Sequence, residues 1–310
     1  MASLRFAARH LHPPACIANV TFAMRIIIVS GLSGSGKSVA LHMLEDIDYY
    51  CVDNIPAALL KPLISHTIRG TSEGYPRTAV GLDARNRPNE IEKVPALVAE
   101  LRRSGIGCDV LYLHASDEVL LKRYSETRRK HPLISHGIGL REAIASERAL
   151  LEPITAAADL VVDTSNMGVH ALRELIRERI DNRQAGRLSL MFESFGYKFG
   201  IPGDADYVFD VRSLPNPFWE YALRDLSGRD APVVDYLAAY PAVQSMITDI
   251  GEFLNRRIPE FARANRGYLT IAVGCTGGRH RSVYVVEQLA AAFRKTYPQV
   301  LTRHNSLPNS

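Results

Sequence analysis

The chain reads Gly31-Leu32-Ser33-Gly34-Ser35-Gly36-Lys37-Ser38 near its beginning. This stretch matches G-x-x-x-x-G-K-[ST], the pattern of a phosphate-binding P-loop. An apolar, β-branched run over Arg25–Ser30 comes just before it and predicts a buried strand. After the loop, the apolar residues Ala40, Met43, Leu44 and Ile47 have the spacing of one face of a helix, so a helix is predicted there. A strand, a glycine loop and a helix N-terminus direct backbone N–H groups at one anion, which favours a nucleotide phosphate over a chance Gly/Ser-rich turn.

Two residues of the P-loop are predicted to act on the nucleotide directly. Lys37 would reach the β- and γ-phosphates of ATP, and Ser38 would hold Mg²⁺. The metal also needs a carboxylate at the end of a strand. Asp53 and Asp83 both follow predicted strands, and either one fits. Aspartate is also an ordinary residue for a turn that ends a strand, so both interpretations stand at this stage.

Length and composition are those of a globular protein with room for two domains. The 310 residues are 46% hydrophobic and 23% charged, with a formal net charge of +4. No apolar run is long enough to cross a membrane, and the mild positive charge permits an anionic partner. The four cysteines lie far apart and form no C-x-x-C pair. We therefore expect a cytoplasmic protein without disulfides or a zinc site.

The apolar runs predict two α/β domains. Residues 24–182 alternate strands and helices as in a parallel sheet, and with the P-loop they indicate a P-loop kinase-like domain. Residues 183–187 are interpreted as a linker, and residues 188–310 as a second, smaller α/β domain. Residues 1–23 are interpreted as a disordered tail, or as the product of a start codon assigned too far upstream. The end of the chain, residues 303–310, is expected to be frayed.

Individual elements can be placed from their patterns. The predicted strands are Arg25–Ser30, Tyr49–Val52, Thr78–Leu82, Val110–His114, Leu160–Val162, Leu188–Ser194, Tyr207–Asp210 and Tyr268–Val273. Helices are predicted over Val169–Ile180, Asp235–Arg257 and Ser282–Lys295.

Three arginines are candidates for a lid over the phosphates: Arg123, Arg128 and Arg129. They lie on or just after the helix predicted to follow the fourth strand. The planar guanidinium binds a phosphate through two parallel hydrogen bonds, which suits this task. A charged helix face in contact with solvent is the other interpretation of the same residues.

A second glycine loop in the C-terminal half reads Cys275-Thr276-Gly277-Gly278-Arg279-His280-Arg281-Ser282. It combines glycines, a helix N-terminus, two arginines and a histidine, so we expect it to bind the phosphate of a sugar or of RNA. The spacing also satisfies C-x5-R-[ST], the loop of cysteine-dependent phosphatases, in which a thiolate at Cys275 would attack phosphorus. Gly274 stands where such enzymes have a histidine. A purely structural glycine turn is the third interpretation.

The motifs of the two halves together resemble the RapZ/YvcJ family of P-loop nucleotide-binding proteins. The segments that carry the resemblance are Gly31–Ser38, Tyr50–Pro56, Asp83–Asn86, Arg123–Leu133, Leu150–Pro153, Asp163–Ser165, Phe192–Pro202, Ala205–Pro217 and Gly274–Val283. They cover the chain from Met24 to about His304, and their combination is far more specific than the P-loop alone.

This resemblance implies binding of ATP at Gly31–Ser38 and of GTP at Asp83-Ala84-Arg85-Asn86, with slow hydrolysis of both. Some members are RNA adapters that deliver a small regulatory RNA to an RNase and so tune glucosamine-6-phosphate synthesis. Their C-terminal domain binds RNA and senses the amino-sugar phosphate, and members form homo-oligomers. RNA adapters also end in a Lys/Arg-rich tail. This chain ends in N-S-L-P-N-S instead, which lowers the expected RNA affinity because fewer counterions are released.

The sequence therefore predicts a regulatory nucleotide-binding protein with weak ATPase and GTPase activity. Its C-terminal domain would bind an amino-sugar phosphate, a small regulatory RNA, or both. Three other classes remain at this stage: a small-molecule kinase, a phosphatase at Cys275, and an RNA-binding module with a vestigial NTPase site. A phosphorylated metabolite as product would indicate the kinase, and hydrolysis of a phosphate ester would indicate the phosphatase. An RNA affinity that does not depend on nucleotide would indicate the RNA-binding module.

Overall fold

The computed structural model describes residues 24–69, 75–134, 138–181, 188–264 and 266–307. The predicted N-terminal extension, residues 1–23, and the predicted linker, residues 183–187, lie outside the described residues. The described chain forms two α/β domains, each built on its own parallel sheet.

The N-terminal domain is built on a five-stranded parallel sheet with the order β2-β3-β1-β4-β5. Its strands are β1 Arg25–Gly31, β2 Tyr50–Val52, β3 Arg77–Gly81, β4 Gly107–His114 and β5 Leu160–Asp163. The predicted apolar run forms the central strand β1. Its residues are apolar on both sides because helices cover both faces of the sheet, so that neither side of the strand faces solvent. The predicted strand pattern of this domain is confirmed.

Helices cover both faces of this sheet. They are α1 Lys37–Glu45, α2 Leu60–Arg69, α3 Pro88–Ile91, α4 Val94–Arg103, α5 Asp117–Thr127, α6 Leu140–Leu150, α7 Glu152–Ala156 and α8 Val169–Ile176, which continues as a π-helical turn over Arg177–Asp181. Side chains alternate along β1, so Ile26 and Ile28 enter one apolar core while Ile27 and Val29 enter the other. The alternation explains why one short strand anchors two layers of helices.

The smaller C-terminal domain contains a four-stranded parallel sheet with the order β7-β8-β6-β9. Its strands are β6 Ser189–Gly196, β7 Tyr207–Asp210, β8 Tyr268–Cys275 and β9 Val300–His304, and its helices are α9 Ala231–Ala238, α10 Pro241–Arg263 and α11 Arg281–Phe293. One continuous apolar core joins the central strands β6 and β8 to these helices. None of the helices in the described parts of the chain is both long and apolar enough to cross a membrane.

Two sequence expectations for this domain were wrong. The single helix predicted over Asp235–Arg257 is two helices, because Pro241 starts α10 and its missing N–H cannot extend α9. The C-terminal residues expected to be frayed include the end of strand β9, which pairs in parallel with β6 from Leu190↔Val300 to Ser194↔His304. Residues 308–310 lie outside the described part of the chain.

Polar contacts join the two domains. Arg179, in the π-helical turn, is buried against the C-terminal sheet and donates to the hydroxyl of Thr270 at 3.2 Å. On the other side of the interface, the backbone N–H of Gly203 donates to the Asp163 carboxylate at 3.3 Å. A cleft of about 800 Å³ lies beside these contacts and is lined by both domains. The ends of β5 and of β6 therefore face each other across it.

A buried charged cluster lies at the C-terminal side of this cleft. The Arg303 guanidinium, on β9, donates to the fully buried carboxylate of Glu193 on β6 and to Asp204 Oδ2 at 3.2 Å. Burial raises the pKa of the Glu193 carboxyl to about 7, Arg303 opposes this shift, and Asp204 adds to it. Two carboxyls thus share one guanidinium in the interior.

We predict that Glu193 gives the protein a stability that falls as pH rises between about 4.5 and about 7. In this window the folded state holds a proton on Glu193 that the unfolded state has released, so deprotonation favours unfolding. Glu193→Gln should remove this part of the pH dependence. The measurement is urea unfolding at a series of pH values, with the exposed Glu252→Gln as the matched control. An unchanged slope in Glu193→Gln would contradict the prediction.

Candidate functional site

The P-loop connects the end of β1 to the first turn of α1. Gly31 has φ 145° and Gly36 has φ 104°, both values that L side chains rarely adopt. A Cβ on Gly31 would lie 2.1 Å from the carbonyl oxygen of Leu113 on β4. The N–H of Leu32 donates to that same oxygen at 3.1 Å. Gly31 is therefore required by the close approach of the loop to β4, and Gly36 by its left-handed backbone and by Leu172, whose side chain lies where a Cβ would be.

Lys37 lies at the start of α1 among carboxylates from three different elements. Its Nζ donates to the carbonyl oxygen of Gly31 at 2.6 Å. Burial lowers the pKa of the Lys37 ammonium, while the charges of Glu147, Asp83 and Asp53 oppose that shift, in this order of size. A cation held inside a glycine loop at a helix N-terminus is the arrangement that binds the phosphates of a nucleotide.

The two aspartates considered for Mg²⁺ both lie at the carboxyl edge of the sheet. The Asp53 Oδ1 atom is 2.4 Å from where a Cβ on Gly81 would be, so the absence of a side chain at Gly81 makes room for this carboxylate. Asp83 follows β3 and is buried. No group of three or more His, Cys, Asp or Glu in the described parts of the chain could hold a metal ion by itself. A magnesium ion here would need phosphate and water ligands besides one or two carboxylates and Ser38.

The segment Asp83–Asn86 forms a tight turn in which Asn86 is committed to the protein itself. Its Oδ1 accepts the N–H of Ala57 at 2.6 Å, and its Nδ2 donates to the carbonyls of Ile55 and Asp83 at 3.4 and 3.1 Å. Ala84 and Asn86 are buried. The Arg85 side chain, in contrast, is 59% exposed beside the Asp83 carboxylate. Arg85 is thus the side chain of this segment that faces solvent, next to the largely buried carboxylate of Asp83.

The structure places the three candidate lid arginines in two different settings. Arg123 Nη1 donates to the carbonyl of Gly34 in the P-loop at 2.9 Å, and the guanidinium also donates twice to Thr164 after β5. Arg123 therefore braces the P-loop from the side. Arg128 has a left-handed φ of 52° and ends α5, and it and Arg129 are exposed.

Glu147, on α6, is a member of the site that the sequence did not reveal. Its carboxylate is fully buried and accepts the N–H of Ser33 at 2.8 Å and the hydroxyl of Ser33 at 2.7 Å. The Nε2 atom of buried His131 lies 3.0 Å from the same carboxylate. No sequence signal could have found this contact, because 114 residues separate Ser33 from Glu147.

The second glycine loop connects β8 to the long helix α11. The Cys275 sulfur lies 3.2 Å from the backbone N of Gly278 and 3.2 Å from the hydroxyl of Ser282. Gly278 has φ 72°, and a Cβ there would lie 2.6 Å from the backbone N of Gly196. The loop is therefore folded tightly against the end of β6, with its backbone N–H groups at the N-terminus of α11.

The basic side chains of this loop are held by backbone carbonyls. Buried Arg281 donates through Nη1 to the carbonyls of Arg212 and Leu214 at 2.7 and 3.1 Å, and its Nε has no hydrogen-bond partner among the described residues. Arg279 donates to the carbonyl of Asp225 at 2.8 Å. Burial lowers the pKa of His280, whose Nε2 lies 3.1 Å from a backbone carbonyl. A buried guanidinium with an unused N–H favours an anionic ligand.

Comparison with known proteins finds a match for each half of the chain. Residues 24–184 match the RapZ-like N-terminal domain and residues 188–308 match the RapZ C-terminal domain. The chain belongs to the RapZ family. Two relatives, each named a nucleotide-binding protein, are from Alkalilimnicola ehrlichii, at 53% identity over 92% of this chain and 99% of that one, and from Stutzerimonas stutzeri, at 51% identity over 92% and 100%.

Solved structures similar to the chain include shikimate kinase from Acinetobacter baumannii and a gluconokinase from Sinorhizobium meliloti. The first is 16% identical, covers 53% of this chain and 97% of its own, and has a TM-score of 0.33. The second is 20% identical, covers 50% and 90%, and has a TM-score of 0.30. In this RapZ-family chain the N-terminal domain is described by its own parallel sheet, with the P-loop between β1 and α1.

The phosphatase interpretation of Cys275 lacks a suitable proton donor at the neighbouring strand. Asp210 ends β7 and lies opposite Gly274 in the sheet. Arg212 binds the Asp210 carboxylate and holds its pKa below the usual range, so this group is ionised near neutral pH. The Cys275 thiol itself is buried. In this RapZ-family protein both observations count against a phosphatase reaction at Cys275.

Asn86→Ala should destabilise the protein by about 1–3 kcal/mol in the absence of any nucleotide, because it leaves the N–H of Ala57 without its partner. Urea unfolding measures the change, and the exposed Asn255→Ala on α10 is the matched control. An unchanged free energy of unfolding together with lost GTP binding would instead make Asn86 a nucleotide contact.

Proposed function

We propose that this protein is a regulatory nucleotide-binding protein with weak ATPase and GTPase activity. ATP would bind at Gly31–Ser38, with Lys37 on the β- and γ-phosphates and Ser38 on Mg²⁺. The C-terminal domain would bind an anionic partner at Cys275–Ser282. The observation that carries the proposal is that each domain holds a basic side chain inside a glycine loop at a helix N-terminus.

Magnesium fits the charge of the N-terminal site. The carboxylates of Glu147, Asp83 and Asp53 and the guanidinium of Arg85 all act on Lys37, so the carboxylates outnumber the basic groups close to the lysine. A nucleotide that arrives with Mg²⁺ brings the positive charge that offsets both its own phosphates and these carboxylates. Asp53 or Asp83 would then orient the metal through water.

GTP is proposed for the turn Asp83–Asn86, as the family resemblance implies. The carboxylate of Asp83 and the exposed guanidinium of Arg85 supply an acceptor and a donor at the carboxyl edge of the sheet, where ligands of parallel sheets bind. Ala84 and Asn86 support this proposal indirectly, by fixing the turn from which the other two side chains project.

The C-terminal ligand is proposed to be an amino-sugar phosphate, a small regulatory RNA, or both. Arg281, Arg279 and the α11 N-terminus supply donors for a phosphate in either molecule. Delivery of the RNA to an RNase, self-association into homo-oligomers and a cytoplasmic location remain predictions from the resemblance and from composition.

The first prediction of the proposed function concerns Lys37. Lys37→Ala should lower the affinity for ATP by at least about 100-fold, because it removes the positive charge inside the P-loop, and it should leave GTP with more of its affinity than ATP keeps. Isothermal titration calorimetry with each nucleotide and Mg²⁺ measures this. GTP affinity that survives while ATP affinity is lost would indicate a separate site at Asp83–Asn86. Unchanged ATP affinity would refute the P-loop assignment.

The second prediction concerns Arg281 in the second glycine loop, Cys275–Ser282. Arg281→Lys keeps the charge but replaces a planar guanidinium with a single nitrogen, which cannot contact the two carbonyls at Nη1 and also present a donor at the place of Nε, so glucosamine-6-phosphate should bind roughly 10-fold or more weakly while ATP binding is unchanged. The exposed Arg257→Lys on α10 is the matched control. The same variants, tested by UV crosslinking to RNA in cells, would show whether RNA uses this loop. Equal binding of both ligands by Arg281→Lys and the control would count against the site.

A further inference from the structure

We propose that Glu147 is a positioning residue of the nucleotide site, which fixes the P-loop at Ser33 and ties it through His131 to the segment that carries Arg128 and Arg129. The inference rests on the proposed function, because positioning matters only if this loop receives a nucleotide. It adds a residue and a mechanical connection that neither the P-loop motif nor the family resemblance contains.

Both polar groups of Ser33 are committed to Glu147. The backbone N–H donates to Oε2 at 2.8 Å, and the hydroxyl donates to Oε1 at 2.7 Å. A carboxylate that accepts two parallel bonds from one residue fixes both the position and the orientation of that residue. Ser33 is the third residue of the eight-residue loop, so its placement constrains the phosphate-facing amides that follow.

His131 extends this arrangement away from the P-loop. Its Nδ1 accepts the N–H of Leu133 at 3.1 Å, so the ring carries its hydrogen on Nε2 and donates it to Glu147 Oε2. The rings of Tyr124 and His131 pack against each other, with their centroids 5.4 Å apart. The backbone of residues 131–133 is thereby held at a fixed distance from the P-loop, directly after the exposed arginines.

Apolar packing around these hydrogen bonds excludes water. Leu32, in the P-loop, forms a small buried cluster with Leu120 of α5 and Ile144 of α6. Ile144 and Glu147 are one helical turn apart, so α6 supports the loop with an apolar contact and a pair of hydrogen bonds side by side. A carboxylate buried this completely is costly unless each of its oxygens has donors, as these do.

The arrangement implies that phosphate binding changes the segment after α5. A nucleotide bound by the P-loop amides holds Ser33 more firmly in its place, and the Ser33–Glu147–His131 contact passes that restraint to the N–H of Leu133. The exposed arginines Arg128 and Arg129 lie five and four residues before Leu133 in the chain. The loop and the arginines would therefore respond to nucleotide as one unit.

The test compares four variants of the full chain: Glu147→Ala, Glu147→Gln, Ser33→Ala and the double variant Ser33→Ala/Glu147→Ala. The control is Glu142→Gln, an exposed change on the same helix in which glutamine keeps the bond to the Gly139 N–H. Mg²⁺-ATP affinity is measured by calorimetry. Hydrogen exchange of the Leu133 amide is measured with and without saturating Mg²⁺-ATP, and the melting temperature of each variant is recorded.

We expect Glu147→Ala to weaken ATP binding by about 30-fold and Ser33→Ala by about 5-fold. The double variant should be no weaker than Glu147→Ala alone, because both changes remove the same contact. Glu147→Gln should lie between the wild type and Glu147→Ala, since its amide can still pair with Ser33. Saturating ATP should change Leu133 exchange in the wild type and in Glu142→Gln but not in Glu147→Ala, a loss that lower stability alone would not produce.

Two results would overturn the inference: additive losses in the double variant, or an ATP-dependent change at Leu133 that survives in Glu147→Ala. If Glu147→Ala fails to fold, the ATP affinities of Ser33→Ala and Glu147→Gln decide the question. Weakened ATP binding in both variants supports the inference, and wild-type affinity in both rejects it. Lys37→Ala, measured in parallel, separates the proposals. Wild-type ATP affinity in Lys37→Ala refutes the P-loop function, whereas its loss beside intact affinity in Glu147→Ala refutes only the role of Glu147.

Discussion

The close approach of the P-loop backbone to strand β4 is the constraint on which the N-terminal site depends. The carbonyl of Leu113 accepts the N–H of Leu32 and lies where a Cβ on Gly31 would otherwise be. This contact fixes the point at which the chain leaves the sheet and turns into α1. The direction of the helix N-terminus, and with it the region where a phosphate is favoured, follows from that point. A larger residue at position 31 would move the whole loop.

The polar groups of the loop are satisfied largely from outside its own segment. Glu147 takes both groups of Ser33, Arg123 takes the carbonyl of Gly34, and Thr164 donates to the carbonyl of Ser35 at 2.9 Å. Each of these side chains comes from a different element of the N-terminal domain. The loop is therefore held in shape before any ligand arrives, which reduces the ordering cost of binding.

Each of the two glycine loops holds a basic side chain at a helix N-terminus, but the groups around that side chain differ in charge. In the first, Lys37 is surrounded by carboxylates, which suits a phosphate that arrives with a metal ion. In the second, Arg281 is held by backbone carbonyls and keeps an unused N–H, which suits a phosphate without metal. Arg179 and Gly203 connect the two domains at the cleft between their sheets, so the sites belong to one folded unit with a polar interface.

The sequence by itself determined the local features. The P-loop, the tight glycine loop before α11, the two α/β domains and most strands could be predicted, because glycine placement and apolar periodicity act over a few neighbouring residues. It could not predict strand β9, whose short edge pairing depends on β6 more than a hundred residues earlier. Nor could it show that Arg123 braces the loop, that Asn86 holds a turn, or that Glu147 binds Ser33. These roles arise only when distant segments pack together, because burial turns an ordinary polar side chain into an obligatory partner.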